Sequence, residues 1–447
     1  MSTERFPTAE VTSSQDYLDC AEAAEQYVRT FLEKTEDGIR YVAEGSEQNS
    51  YYKGLAGILH MYLQLQQILP KPEYQQIIRE ILRYLKQHYP DDVQTAQREG
   101  EFVAGMAEAF YTGLAGIGLV VNEAWAQHRY EEAKQAAEQI LDYYMVHQKE
   151  TAEGVFWSDN AAIFFDGGII LYLIDSYHVL GREDVLPVIV RATDYILSTG
   201  IRHKDGGLEI DHGQVSFKHK EPNFEFGTAG AGYLFTKVYE LTNDRKYLRA
   251  AFDAAQYLCG IAVKQEQGYL IPYKLTLKEP LFYLGNCHGP VGTAKLFYEL
   301  YQVTGDSFYY EQVLELCKGM ESLGAPLYQS AGYWNTTCLC CGPAGFVPLY
   351  IGLYRQDGDN HWKELAEQIG EILLGTKLEK KEMSNGVEVK TASWRLAYDR
   401  TRPEVITAPA GYYTGAAGIV VALLQLYRLE VPGTPVTQMI DDPYRRT

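Results

Sequence analysis

The sequence predicts an all-α fold, an α/α toroid (barrel) of seven helical hairpins, in which an inner ring of helices lies inside an outer ring. Three observations predict it. A Gly-x-x-Gly motif recurs seven times, amphipathic helices separate the copies, and 46% hydrophobic residues can fill a large core. We expect a single toroid domain over residues 12–431, with loosely held terminal segments at 1–11 and 432–447.

The inner helices are predicted from the glycine motif, which opens seven segments that are apolar nearly all round. The second glycines lie at positions 57, 116, 168, 230, 292, 345 and 418, and Phe165 replaces the first glycine of the third copy. The segments are KGLAGILHMYLQL, TGLAGIGLVV, FDGGIILYLI, FGTAGAGYLF, HGPVGTAKLFYEL, CGPAGFVPLYIGLY and TGAAGIVVALLQLY. Because glycine has no Cβ, we expect it to let neighbouring helices and loops approach closely.

The outer helices are predicted from segments with apolar residues at i, i+3, i+4 and i+7 and charges on the remaining face. They are DYLDCAEAAEQYVRTFLEK, EYQQIIREILRYLKQHY, RYEEAKQAAEQILDYYMVH, DVLPVIVRATDYILS, RKYLRAAFDAAQYLCGIA, SFYYEQVLELCKGMESL and HWKELAEQIGEILLG. One such helix alternates with each glycine-opened segment, which is the order that a closed ring of hairpins requires.

The longer connections precede inner helices and show short strand-like alternation. Examples are KDGGLEIDHGQVSFKHKEPNF, KQEQGYLIPYKLTLKEPLFYLGN and EVKTASWRLAYDRTRPEVITAPAGYY. If all inner helices run the same way, these loops and the helix N-termini share one face of the ring. Helix N-termini favour anionic groups, and loops on a rigid scaffold commonly carry function, so this face is the predicted site.

Composition excludes several classes of protein. Forty basic and 59 acidic residues give a net charge of −19, which disfavours nucleic acid as a partner. The first residues do not resemble a signal peptide, and no run approaches the roughly 20 apolar residues of a transmembrane segment. We therefore expect a cytoplasmic protein, in which the seven cysteines are reduced thiols or metal ligands.

Cysteine directly precedes the glycine motif in the fifth and sixth repeats, NCHGPVG and CLCCGPAG. Cys287 and Cys340 both stand two positions before the first glycine, so they occupy equivalent places in adjacent hairpins. Together with Cys341 they can meet at one point, near helix N-termini that lower the pKa of a thiol. Three thiolates with one open position predict a catalytic zinc site.

Other roles for these thiols stay open. Cysteine is often simply buried, and this is the interpretation we give to Cys20, Cys259 and Cys317 on outer helices. Cys338 is ambiguous, because strand alternation places it beside Cys340, whereas a fourth thiolate would close the zinc site and make it structural.

With these cysteines in the fifth and sixth repeats, the chain resembles the lanthionine synthetase C (LanC-like) family over nearly its whole length. The resemblance implies that Cys287, Cys340 and Cys341 bind Zn²⁺, in the Cys-Cys-Gly variant of the site. It also implies a cyclase that adds peptide cysteine thiolates to dehydroalanine or dehydrobutyrine, which forms (methyl)lanthionine thioethers in a ribosomally made peptide. The implied partners are the dehydrated precursor peptide and a separate dehydratase.

The group that transfers the proton is less obvious. Members of the family commonly carry a histidine before the glycine motif of the fourth repeat, where this chain has Phe226. Our candidates for the catalytic role are His288, which follows Cys287, His212 in EIDHGQ, and Asp166 in the third repeat. For His288, a role in orienting or ligating the metal is an open alternative, and Asp166 could simply cap its helix.

Two other functions compete with the cyclase. A relative that binds zinc and peptides or proteins without catalysis is favoured by Phe226, which cannot transfer a proton. A glycosidase on a related toroid would need two carboxylates roughly 5 to 9 Å apart, and it leaves the cysteines unexplained.

Overall fold

The structure is a computed structural model, and it describes residues 4–43, 46–99, 101–210, 220–329, 336–384, 387–397, 404–431, 433, 437 and 439–445. The chain divides into two compact units. One comprises Met1–Gln87 and Leu323–Thr447, and the other comprises His88–Ser322.

The described residues form fifteen α-helices. In chain order they are α1 (Ser14–Arg29), α2 (Leu55–Ile68), α3 (Pro72–Glu99), α4 (Glu101–Glu108), α5 (Leu114–His128), α6 (Glu131–His147), α7 (Asp166–Leu180), α8 (Leu186–Ser198), α9 (Thr228–Thr242), α10 (Arg245–Ile261), α11 (Pro290–Thr304), α12 (Ser307–Ser322), α13 (Val347–Asp357), α14 (Asn360–Thr376) and α15 (Ala416–Glu430).

The seven glycine motifs all open helices, as predicted. The first glycine of the motif is the N-cap in an extended conformation, as at Gly227 before α9, and Phe165 takes this place before α7. The helices that follow are buried nearly all round except toward their C-terminal ends; in α2, for example, every residue from Leu55 to Leu65 is buried. The predicted outer helices also form, and α10 buries one face only.

The motif glycines are required mainly by the turn that precedes each helix. A Cβ on Gly292 would lie 2.0 Å from the carbonyl oxygen of Asn286, six residues earlier. It would also lie 2.7 Å from Cβ of Phe224, in the preceding repeat. The predicted close approach of neighbouring repeats is therefore present. The turn that precedes α11 restricts position 292 to glycine at least as strongly.

Two helical features differ from the predicted pattern. The helix predicted to end at Tyr89 continues through Pro90 to Glu99, and α4 follows it. The sixth repeat starts as a 3-10 turn, Pro343–Phe346, before α13. Pro348 has no N–H to donate to the carbonyl of Ala344, which explains why regular α-helical bonding starts late there.

Short antiparallel strands occupy the connections. They are β1 (Leu32–Thr35), β2 (Gly38–Ala43), β3 (Ser46–Glu47), β4 (Lys149–Glu150), β5 (Val155–Phe156), β6 (Ile201–Arg202), β7 (Leu208–Glu209), β8 (Val263–Lys264), β9 (Tyr269–Leu270), β10 (Leu378–Ser384), β11 (Val387–Ser393), β12 (Leu396–Ala397) and β13 (Ile406–Thr407). Strands β1, β2 and β3 form one sheet, and the others pair as β4–β5, β6–β7, β8–β9, β10–β11 and β12–β13. The predicted strand-like character of the loops is thus confirmed in their described parts.

In the unit His88–Ser322, the inner helices α5, α7, α9 and α11 pack side by side in chain order, and each packs on the outer helix that follows it. In the other unit, α13, α15 and α2 pack side by side. There the first helix of the chain, α1, packs on the last, α15. Each unit is therefore an array of inner helices with outer helices against it.

Candidate metal centre

Backbone hydrogen bonds join neighbouring repeats at the position two residues before the first motif glycine. In one unit, the N–H of Glu225 donates to the carbonyl of Cys287 at 3.2 Å. In the other, the N–H of Cys340 donates to the carbonyl of Tyr413 at 2.9 Å, and the N–H of Tyr413 donates to the backbone carbonyl of Tyr52 at 2.9 Å. In these pairs of repeats, the register inferred from the sequence is therefore a structural equivalence.

Three thiols come together at these turns. The Sγ atoms of Cys287, Cys340 and Cys341 all lie within 4.8 Å of one another. Cys287 and Cys340 are buried, Cys341 is partly exposed, and the Sγ atoms of Cys340 and Cys341 are 3.4 Å apart. All seven cysteines lie in the described part of the chain, and none of them is in a disulfide bond.

These residues fit a zinc ion. Thiolate is a preferred zinc ligand, with a bond of about 2.3 Å, and tetrahedral geometry then separates two sulfurs by about 3.8 Å. Sγ atoms within 4.8 Å of one another can reach that spacing with small rotations of the side chains. Cys287 and Cys340 lie two residues before the N-cap of a helix or 3-10 helix, and Cys341 lies directly before one, so all three are near a helix end of partial positive charge.

Tyr52 is a site residue that sequence analysis missed. Its hydroxyl donates to Sγ of Cys340 at 3.0 Å, and its ring stacks on Tyr413 with centroids 5.1 Å apart. The only signal in the sequence was the place of Tyr52 in the repeat, two residues before Gly54, which is the place that Cys287 and Cys340 occupy in theirs.

Cys338 lies beside the cluster. A hydrogen bond from the Cys341 side chain, together with backbone N–H groups and Thr336, outweighs burial and lowers the pKa of the Cys338 thiol to about 7. Its sulfur is not part of the three-cysteine group found among the described residues. Cys338 is therefore a hydrogen-bonding neighbour of a candidate ligand.

His288, the first candidate for proton transfer, belongs to an aromatic stack. Its ring lies 5.2 Å from Phe226 at an interplanar angle of 13°, and Phe226 stacks on Phe164 at 5.0 Å. The Nδ1 atom lies 3.0 Å from Oε2 of Glu221. Phe226 thus forms part of the wall against which the histidine packs.

Glu221 is the second residue that sequence analysis missed. Burial opposes its ionisation, but His288 and the nearby Lys274 outweigh this effect and hold the pKa of the carboxyl below its usual range. The sequence offers no periodic signal for this contact, because Glu221 lies in an irregular loop before α9.

The other two candidates are placed differently. Asp166 is buried, and its carboxylate accepts hydrogen bonds from the N–H of Trp157 and from the N–H and hydroxyl of Ser158, at 3.1, 2.9 and 2.6 Å. Burial raises its pKa to about 6, against the lowering effect of these bonds. His212 lies outside the described residues.

The three cysteines on outer helices are packed residues, as predicted. Cys20 and Cys317 are buried, and Cys259 is partly buried. Burial raises the pKa of the Cys259 thiol to about 11, and it raises those of Cys20 and Cys317 as well. Such thiols are poor ligands and nucleophiles at neutral pH.

Comparison with known proteins agrees with the predicted family. A family model described as Lanthionine synthetase C-like protein matches residues 45–436. The Lacticin 481/lactococcin biosynthesis protein LcnDR2 of Lactococcus lactis subsp. lactis is 22% identical over 329 residues, which are 72% of this chain. The chain spans 31% of the length of that relative.

The fold is also similar to that of a solved structure. Nisin cyclase matches with a TM-score of 0.61 and 13% identity, over 93% of this chain and 94% of that one. This match confirms the predicted all-α toroid class. None of the helices in the described residues combines the length and the apolar character that crossing a membrane requires.

The family model covers most of the chain, and the three cysteines that carried the predicted resemblance lie together in the structure. The chain belongs to the lanthionine synthetase C-like family.

Proposed function

We propose that this protein is a zinc-dependent cyclase, which adds cysteine thiols of a ribosomally made peptide to dehydroalanine or dehydrobutyrine residues of the same peptide. The observation that carries the proposal is the cluster of Cys287, Cys340 and Cys341, with all Sγ atoms within 4.8 Å. Membership of the family supports it. So does the name of the Lactococcus relative, which is a lacticin biosynthesis protein.

In this proposal the three cysteines hold Zn²⁺. Three protein ligands are the number typical of a catalytic zinc site, because a fourth position stays open for substrate. Bound zinc supplies Lewis acidity that favours the thiolate form of a cysteine at neutral pH. The Tyr52 hydroxyl, 3.0 Å from Sγ of Cys340, stabilises negative charge on that ligand.

The reaction is a balanced addition. The bond between the peptide sulfur and the β-carbon forms, the carbon–carbon π bond breaks, and Cα gains a proton in place of the one lost by the thiol. No oxidant or reductant is required. Since the acceptor is a dehydrated serine or threonine, a dehydratase must act on the peptide first.

Among the three candidates, we assign proton transfer at Cα to His288. It follows a metal-ligating cysteine in sequence, and its side chain is partly exposed. Both carboxylate oxygens of Asp166 accept hydrogen bonds from residues 157–158, which favours a supporting role in the third repeat. His212 remains a candidate on sequence grounds.

The proposal is tested with the zinc-loaded protein and a synthetic peptide that contains one dehydroalanine and one cysteine. Cyclisation leaves the mass unchanged, so loss of the free thiol is followed by alkylation and mass spectrometry. We expect the wild-type protein to consume the thiol, Cys341→Ala to lose this activity, and Cys259→Ser on an outer helix to retain it.

A binding protein without catalysis is the second candidate, because Phe226 stands where the family commonly has histidine. The same experiment distinguishes the two. If the wild-type protein binds zinc and the peptide but the thiol disappears no faster than in buffer, the cyclase proposal is wrong and the binding function is favoured.

A further inference from the structure

A cavity of about 410 Å³ lies within the unit that contains Cys340 and Cys341. Its walls come from the N-terminal segment, the residues that precede Cys338, the end of α14 with the start of β10, and the strand β13. This volume is within the range of small-ligand pockets, roughly 300–1,000 Å³. The addition of a thiol to a dehydroamino acid assigns no role to this cavity.

Backbone hydrogen bonds fix the N-terminal wall of the cavity. The N–H of Phe6 donates to the carbonyl of Leu327 at 2.9 Å, and the N–H of Gln329 donates to the carbonyl of Glu4 at 2.8 Å. The Phe6 side chain is 3% exposed, so it anchors the segment in the core. Arg5, which lies between these two bonds, therefore extends from a fixed backbone.

The lining carries an excess of positive charge. Arg5, Lys377 and Arg395 contribute three cations, whereas Glu4 contributes one carboxylate. Lys377 is paired with Glu379 at 3.2 Å. Arg5 and Arg395 are exposed, and no carboxylate of the described residues lies within salt-bridge distance of either. In a chain of net charge −19, the cavity is thus a local reversal of sign that attracts anions.

The lining also contains a buried hydroxyl, that of Thr337, which has no hydrogen-bond partner within the described part of the chain. Thr337 is 5% exposed, and its carbonyl accepts from the N–H of Ala344 at 3.3 Å, which fixes the backbone. A buried hydroxyl without a partner is unfavourable. A ligand that brings an oxygen atom into the cavity would supply the missing acceptor.

Apolar side chains complete the lining. Leu378 is the first residue of β10, and Ile406, in β13, is 49% exposed. Apolar surface beside cations suits a peptide in which an acidic side chain adjoins an apolar one.

We propose that this cavity recognises a carboxylate of the peptide substrate, which Arg5 and Arg395 bind through their guanidinium groups. Arginine presents paired N–H donors that match the two oxygens of a carboxylate. The identity of the ligand as the substrate peptide rests on the proposed function. Thr337 stands three residues before the candidate ligand Cys340, at most about 11 Å along the chain, so a short peptide is long enough to span both places.

The first measurement is peptide binding, which requires neither zinc nor catalysis. The probes are short peptides without cysteine that carry the same neutral fluorophore. One has an internal Glu beside Leu and an amidated C-terminus, one has Gln in place of Glu, and one has that Gln and a free C-terminal carboxylate. By fluorescence anisotropy, we expect at least one carboxylate peptide to bind about tenfold or more tightly than the neutral one. The two charged probes distinguish a side-chain from a C-terminal carboxylate.

Arg5→Gln and Arg395→Gln should each remove most of this preference. Arg245→Gln is the matched control, because Arg245 is an exposed arginine at the start of α10, outside the cavity and in the other unit. Equal affinities of the wild-type protein for charged and neutral peptides would overturn the proposal. A preference that survives the double variant Arg5→Gln and Arg395→Gln would also overturn it.

The second measurement uses the thiol-addition assay with two peptides that differ only in a Glu or a Gln within about three residues of the cysteine. We expect the Glu peptide to have a KM about tenfold lower with little change in kcat, and Arg395→Gln to remove the difference. Equal KM values in the wild-type protein would overturn the role of the cavity in substrate binding. If the wild-type protein adds no thiol, the proposed function fails, whereas the cysteine-free peptides still decide whether the cavity binds a carboxylate.

Discussion

Single side chains beside the cysteines determine how firmly the thiolates are held. Tyr52 donates a hydrogen bond to Cys340, so one of the candidate zinc ligands accepts a bond from another side chain of the protein. Such bonds favour the charged thiolate and orient it. Their contribution can be measured one residue at a time.

Removal of the Tyr52 hydroxyl should weaken zinc binding. In Tyr52→Phe the ring can still stack on Tyr413, but the bond to Cys340 is lost, and we expect the affinity for zinc to fall roughly tenfold. Competition with a chelator of known affinity measures this change.

Tyr413→Phe is the control for that change. It keeps the stack and removes a hydroxyl that donates to Asp441 at 3.2 Å rather than to sulfur. Equal zinc affinities in the two variants would show that the hydroxyl on Cys340 does not matter.

Asp166 should make stability depend on pH. The pKa of Asp166 in the folded protein is about 6, above the ordinary value of 3.8. Between pH 3.8 and pH 6, the folded state therefore binds more protons than the unfolded state. The contribution of Asp166 to stability is thus present at low pH and is lost as pH rises through 6. Relative to Asp166→Asn, the wild-type free energy of unfolding should fall by on the order of 2 kcal/mol between pH 4 and 7.

Denaturant unfolding at a series of pH values, followed by tryptophan fluorescence, measures this difference. The matched variant is Asp16→Asn, because hydrogen bonds lower the pKa of Asp16 and its pH dependence should run the opposite way. A difference between the wild-type protein and Asp166→Asn that is constant with pH would refute the predicted role of burial.

At the scale of the element, the glycine turn connects the fold to the site. The turn that carries Cys287 is also the turn whose carbonyl, at Asn286, lies against Gly292 at the start of α11. A methyl group at position 292 cannot fit unless this turn moves. Glycine at position 292 therefore permits both the start of the inner helix α11 and the turn that places the candidate ligand Cys287.

Gly292→Ala should accordingly lower both stability and zinc affinity. The added Cβ would meet the Asn286 carbonyl oxygen at 2.0 Å, and overpacking of a buried site typically destabilises by about 1–3 kcal/mol. Thermal unfolding and chelator competition measure the two effects.

Gly260→Ala, in the outer helix α10, is the control. The nearest atom that its Cβ would meet lies 3.9 Å away, so there the substitution should raise helix stability by about 0.5–1 kcal/mol. A Gly292→Ala protein as stable and as metal-competent as wild type would show that the turn is not constrained.

The elements also show what the sequence could predict. Outer and inner helices follow from apolar periodicity and from the glycine motif, because both reflect local burial that recurs in each repeat. The late start of α13 depends on Pro348 and could have been deduced from its missing N–H. The continuation of α3 through Pro90 could not, because proline disfavours a helix interior and therefore predicts that the helix ends at the residue before it.

At the scale of the whole molecule, repeat register is the link between sequence and site. Cys287 and Cys340 are 53 positions apart in the sequence, yet the equal distance of each from its glycine motif predicted their proximity, and the structure confirms it. Glu221 has no such repeat partner. Its contact with His288 depends on an irregular loop, and no sequence pattern specifies it.

X-ray absorption at the zinc edge, made on the purified protein with its bound metal quantified, decides whether the three cysteines hold zinc. We predict about one zinc per chain, coordinated by three sulfurs at about 2.3 Å and one oxygen or nitrogen atom. The zinc should be lost in Cys287→Ala and retained in Cys259→Ser. A protein that binds no zinc, or a zinc ion with four sulfur ligands that include Cys338, would contradict this prediction.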